Sequence, residues 1–155
     1  MSWGRGNVLR RTSITKGALA GVAAAAAWGA SEPASRRFFG IRYSDLRLLG
    51  AAVTTGRHWK AAGWSLHLLN GAVFGALFAR LGGHGVARAV AAAEVENLVL
   101  WAPGMVVVDR FHPDRRSGKW PPLLRNRRVF AHEVAVHALF GAVLGVLTYS
   151  PSRSV

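Results

Sequence analysis

From Val129 to Tyr149 the chain runs for 21 residues without a lysine, arginine or proline. About 20 apolar residues are enough for a helix to cross the hydrocarbon core of a bilayer. No other feature narrows the fold so much. The same run carries His132, Glu133 and His137. Glu133 and His137 are four apart and share one face of a helix. Ionisable groups at membrane depth are costly and turn toward a bundle interior or a wet cavity. The rest of the chain is therefore expected to supply the walls and partners of this pair.

Three earlier runs read the same way. Gly17–Ala34 is alanine-rich and short for a crossing, with Gly17, Gly21, Ala25 and Gly29 repeating every four residues as a small-residue seam. Glu32-Pro33 near its end should stop or kink the helix. Ala61–Leu81 begins at an interfacial belt of Trp59 and Trp64, carries His67 and Asn70 three apart, and continues as Gly71-x-x-x-Gly75. Val86–Val108 carries Glu94, Glu96 and Asn97. Glu94, Asn97 and Trp101 form one stripe, Glu96 points about 200° away from Glu94 at roughly 100° per residue, and Pro103-Gly104 should kink or end the regular part. The fold class expected is all-α: a polytopic membrane protein with four transmembrane helices in a compact bundle, spans at 17–34, 61–81, 86–108 and 129–149. A short interfacial helix is expected within Tyr43–Val53 of the first loop, where Leu and Ala alternate with Arg and Asp.

Composition agrees. Of 155 residues, 51% are hydrophobic and 17% charged, where a soluble domain carries about 25%. Three of the seven acids (Glu94, Glu96, Glu133) lie inside apolar runs, and the 20 Lys and Arg cluster between them. A net charge of +13 suits anionic lipid. Nucleic acid is not expected as a partner, because a DNA-binding domain would not need four long apolar segments. The absence of cysteine excludes disulfides, thiolate metal sites and cysteine nucleophiles.

Residues 1–16 read as a basic tail and 150–155 as a short one. Arg10-Arg11 before an apolar run suggests a twin-arginine signal, but the flanking residues fit that motif poorly. The loops Arg36–Lys60 and Asp109–Arg128 together hold 13 Lys/Arg, against 7 in the tails and second loop. The positive-inside rule then places both long loops in the cytoplasm. Arg115, Arg116, Arg127 and Arg128 are expected to meet anionic lipid headgroups.

Spans two and four start on the side of the long loops, and spans one and three end there. At about 1.5 Å per residue, His67, Asn70, Glu133 and His137 lie roughly 6–14 Å below that surface. Glu94 and Asn97 can reach the same layer. These six residues form the candidate polar site, with Glu32, Glu96 and His132 as secondary members. The plain alternative for each histidine or amide is a hydrogen bond to a neighbouring helix.

The layout resembles the YagU-type family of small bacterial inner-membrane proteins. The likeness rests on Trp28-Gly29-Ala30 followed by Glu32-Pro33, His67-x-x-Asn70, Glu94 nine residues before Pro103, and Glu133-x-x-x-His137. It covers roughly residues 17–149. The family often has an amide where Glu94 stands and a histidine where Leu98 stands, and the first loop here is differently composed. The resemblance implies a four-span protein of the bacterial cytoplasmic membrane, loosely linked to acid stress, and implies no reaction.

Three functions fit such a cluster. It can handle protons or cations, or sense pH, through carboxylates and imidazoles. It can be a structural network in an accessory subunit, with a homo-oligomer or membrane-complex partner. It can hold a metal through His67, Glu94, Glu133 and His137, or a heme between His67 and His137. Glu133-x-x-x-His137 is one residue longer than the Glu-x-x-His of carboxylate di-metal sites, and His132 and His137 do not share a face. The sequence requires no cofactor. No nucleophile triad, phosphate loop or cofactor fingerprint is present, so a conventional enzyme is not expected.

Overall fold

A computed structural model describes residues 12–149. The start of the basic tail, Arg10-Arg11 included, and residues 150–155 lie outside the described residues. The chain is all-helical: α1 (Ile14–Phe39), α2 (Asp45–Val53), α3 (Trp59–Arg80), α4 (Val86–Phe111), α5 (Pro113–Arg116) and α6 (Arg127–Thr148). Among the described residues three helices, α3, α4 and α6, are long and apolar enough to cross a membrane. Although 26 residues long, α1 is not among them. Its alanines are only weakly hydrophobic, and Lys16, Glu32, Arg36 and Arg37 interrupt them.

α1 is held by its ends and by its neighbours. Ser13 caps the first turn, accepting from the Lys16 amide at 3.1 Å. Gly40, at φ 64°, closes the last turn in the left-handed conformation. The helix thus begins inside the stretch read as tail. It also passes through Pro33 and continues for six residues, instead of stopping there. The missing Pro33 N–H costs one rung, but the part beyond the proline is anchored: Ser35 lies 2.8 Å from His132, and the Phe39 ring packs edge-on against the same imidazole. Pro103-Gly104 likewise does not end α4, which runs on to Phe111.

α1 packs against α3 and α6, and α4 packs against α6. The α1–α3 seam is the small-residue stripe: Gly17 and Gly21 face Gly75 and Gly71 so closely that a methyl on any of them would strike the opposite backbone. The α4–α6 seam uses Gly141 and Gly145 of α6 against Val90 and Val86 of α4. Although consecutive, α3 and α4 share no extended packing; the short turn from Leu81 to Gly85 joins them, with Gly82 and Gly85 at φ 76° and 79°. Outward-facing Leu69, Val73 and Leu77 on α3 and Val95, Leu98 and Val99 on α4 are exposed.

The short helix expected in the first loop is α2, which packs against α3 and buries Asp45, Gly50 and Ala51. The segment 109–128, expected as a plain loop, is a packed cap. Tyr43, Met105, Trp120, Leu123 and Val129 form a second apolar core there, apart from the main one around Trp28, Phe78, Phe140 and Leu144.

Candidate functional site, a buried carboxylate and imidazole cluster

Where the two cores meet sits Asp45, in the first turn of α2 after the Ser44 cap. Tyr43 donates its hydroxyl to Oδ1 at 2.7 Å, and the Trp28 indole N–H donates to Oδ2 at 3.3 Å. Oδ2 is also 3.8 Å from Nε2 of His132, which is fully buried. His132 Nδ1 lies 2.8 Å from the Ser35 hydroxyl, while its Nε2 has no hydrogen-bond partner. That nitrogen stands between two carboxylates, the second being Glu133 Oε1 at 3.9 Å. Glu133 Oε1 is buried and unpartnered too.

His137 uses Nδ1–H to donate to the Glu133 carbonyl at 2.8 Å. A carbonyl only accepts, so this nitrogen carries a hydrogen. Nε2 then faces Glu96 Oε2 at 3.3 Å. Two lone pairs would meet there unless one proton sits on the imidazole or on the carboxyl. His67 spends Nε2–H on the Ala25 carbonyl of α1 at 3.0 Å. The Trp28 indole lies edge-on against both His67 and His137, at 5.0 and 4.5 Å between centroids. It fills the slot that a heme between the two histidines would need.

His67, Asn70, Asn97, Glu133 and His137 line one cavity of about 290 Å³, together with Glu96 and Asp45. Glu94 is not part of it. It accepts a long 3.5 Å bond from Asn97 and leaves its other oxygen unpartnered. The reason is the rotation of α4. Its buried stripe runs through Ala89, Ala93 and Asn97, and at about 100° per residue Glu94 and Glu96 flank that stripe on opposite sides. The flank that meets α6 is Glu96. The expected metal set of His67, Glu94, Glu133 and His137 therefore does not assemble. Asp45, His132 and Glu133 do, each offering a ligand atom within 4.8 Å of the others.

Glu32 is also buried. Its carboxyl points toward Ser44 and the Leu46 amide without reaching hydrogen-bond geometry. Among the described residues, no lysine or arginine nitrogen comes within 4 Å of Glu32, Asp45, Glu96 or Glu133. Asp45 was passed over as the single acid of a basic loop. The signal available was Tyr43-Ser44-Asp45 itself, a helix-capping serine and an acid in a stretch otherwise rich in arginine.

The basic cap is built differently. Arg47 pairs with Asp114 in the cap, and Lys119 adds a contact at 3.4 Å. The Arg47 bond holds the Asp114 carboxyl below the usual carboxylate range, and Asp114 in turn holds Arg47 up. His112 stacks on Trp120 at 4.6 Å, donates Nε2–H to the Leu48 carbonyl and accepts the Asp114 amide on Nδ1; burial pushes it below the ordinary histidine value. Arg115, expected at lipid headgroups, is instead spent on Asp109 at 2.7 Å and on the Trp120 carbonyl. Arg116, Arg127 and Arg128 remain exposed.

Compared with known proteins, the chain matches no family model, no curated protein and no solved structure.

Proposed function

We propose that this is a four-span membrane protein that handles a cation at an interior polar site. In this reading α1 is the fourth span, an alanine-rich helix kept from lipid by its packing on α3 and α6. Membership in the YagU-type family, a bacterial cytoplasmic membrane and cytoplasmic long loops belong to the same proposal, with exposed Arg116, Arg127 and Arg128 at anionic headgroups.

One observation carries it. Glu32, Asp45 and Glu133 are buried close together with half-exposed Glu96 beside them, in a chain of net charge +13, yet among the described residues no lysine or arginine comes within 4 Å of any of the four. Arg36, one turn from Glu32 on α1, turns its guanidinium to the Arg42 carbonyl instead. Carboxylates in an apolar interior cannot stand as bare anions, so protons or another cation must neutralise them. The histidines and the cavity give such a cation a place to bind and a route past Glu133.

The test is flux in proteoliposomes under an imposed cation gradient. Wild-type protein should dissipate the gradient, and Glu133→Gln and His137→Ala should abolish most of that flux while keeping helical content. Flux unchanged in both variants, with fold unchanged, removes the reading. A second reading is favoured by the His67–Ala25 bond, which pins α3 to α1: the polar network fixes helix packing in an accessory subunit. That reading gains if the same variants lower only the melting temperature.

A further inference from the structure

We propose that Asp45, His132 and Glu133 hold a divalent first-row metal ion. The inference rests on the cation reading above and names the cation.

The donor atoms are Asp45 Oδ2, His132 Nε2 and Glu133 Oε1. His132 Nε2 lies 3.8 Å from the first oxygen and 3.9 Å from the second. A tetrahedral ion with bonds of about 2.0–2.1 Å has ligand–ligand edges of about 3.3 Å. The two edges at His132 therefore have to shorten by about 0.5 Å, and the Asp45–Glu133 edge, which lies within 4.8 Å, closes with them. Two of the three donors are free: His132 Nε2 and Glu133 Oε1 are buried without a hydrogen-bond partner, in residues 0% and 4% exposed, while Asp45 Oδ2 accepts only the long Trp28 bond at 3.3 Å. Buried polar atoms are rarely left unpaired. Two unpaired atoms of ligating type that face each other point to a missing electrophile.

The supporting contacts are those of a metal site. A ligating histidine usually gives its other ring N–H to a fixed acceptor, which sets the tautomer. Ser35 Oγ at 2.8 Å from Nδ1 can take that hydrogen and leave the Nε2 lone pair facing the carboxylates. Asp45 is held from both sides by Tyr43 and Trp28. Two carboxylates and a neutral imidazole sum to a charge that a dication cancels, which suits an apolar surrounding. One nitrogen and two oxygens, without sulfur, favour zinc, manganese or iron over copper(I), and the nitrogen disfavours calcium and magnesium. Asp45 and Glu133 both border the cavity, which leaves room for a water or a further ligand to complete the shell.

The experiment uses the full chain, purified in detergent and stripped with chelator. Zn²⁺ is titrated, retained metal is counted after desalting, and Co²⁺ substitution reports coordination by its visible spectrum. Wild type should retain one equivalent. Asp45→Asn should weaken binding by at least about 10–100-fold, and Ser35→Ala, which removes only the orienting contact, by roughly 10-fold. His84→Gln, in the α3–α4 turn, should bind as wild type. Circular dichroism and melting curves confirm that Asp45→Asn and Ser35→Ala remain folded. Zn²⁺ retention below one equivalent, or full retention by Asp45→Asn and Ser35→Ala, overturns the proposal. Glu133-dependent flux without Zn²⁺ binding would overturn the metal and leave the cation reading standing. Asp45-dependent Zn²⁺ binding without any flux would do the reverse.

Discussion

Gly71→Ala places a methyl where α1 and α3 touch. The new carbon would lie 2.6 Å from the Ala25 methyl and 2.5 Å from the Gly21 carbonyl oxygen. Carbon atoms rest at about 3.5–4.0 Å, so the helices must part by about 1 Å. One turn away, His67 donates to the Ala25 carbonyl at 3.0 Å. The same displacement carries that bond to about 4 Å, beyond hydrogen-bond reach. Overpacking costs about 1–3 kcal/mol and the lost bond about 1 kcal/mol more. Gly71→Ala should therefore destabilise by about 2–4 kcal/mol. Gly104→Ala is the contrast: a methyl there meets nothing within 4 Å. Within a helix that change should gain up to about 1 kcal/mol of intrinsic propensity. Thermal unfolding in detergent, followed by tryptophan fluorescence, reads both. A Gly71→Ala protein that melts with wild type, or shifts like Gly104→Ala, refutes the close seam.

Other predictions are simpler. His112 and Asp114 both have folded pKa values below their unfolded ones. The unfolded chain therefore binds more protons, and stability falls as pH falls, first below about 6.5 and again below about 3.9; melting across pH 3–8 should show both declines, and Asp114→Asn should shrink the lower one, with the rest left to Asp109, which is also held below the usual carboxylate range. Tyr43→Phe strips Asp45 Oδ1 of its buried donor and should cost about 1–3 kcal/mol in denaturant unfolding. Asn126 caps α6 by accepting from the Arg128 and Val129 amides, so Asn126→Ala should cost about 0.5–2 kcal/mol in the same assay.

The small-residue seam and the convergence of His67, Asn97, Glu133 and His137 were legible in the sequence, because both follow from helical periodicity along single segments. What periodicity cannot supply is the rotation of one helix against another. Glu94 and Glu96 are equivalent flanks of α4 until the glycine seam on α6 fixes which one turns toward His137. Asp45 is hidden for a related reason: its burial depends on α2 folding back against α3, a contact set by Gly50 meeting Trp59 and Gly63 meeting the Leu46 backbone beside the acid, on a helix distant in sequence. Pro33 misled because local backbone preference was outweighed by Ser35 and Phe39 docking on His132.

The missing seam between α3 and α4 has a mechanical outcome. Asn70 on one helix and Leu100 on the other are exposed while also bordering the cavity, so its mouth lies along that gap. α1 and α6 meet behind the cavity and α3 and α4 form its two lips, joined at one end where Arg47 of α2 pairs with Asp114 and His112 donates to the Leu48 carbonyl. Under the proposed membrane reading, a cation would reach the acids sideways through this mouth, from the level of the acyl chains.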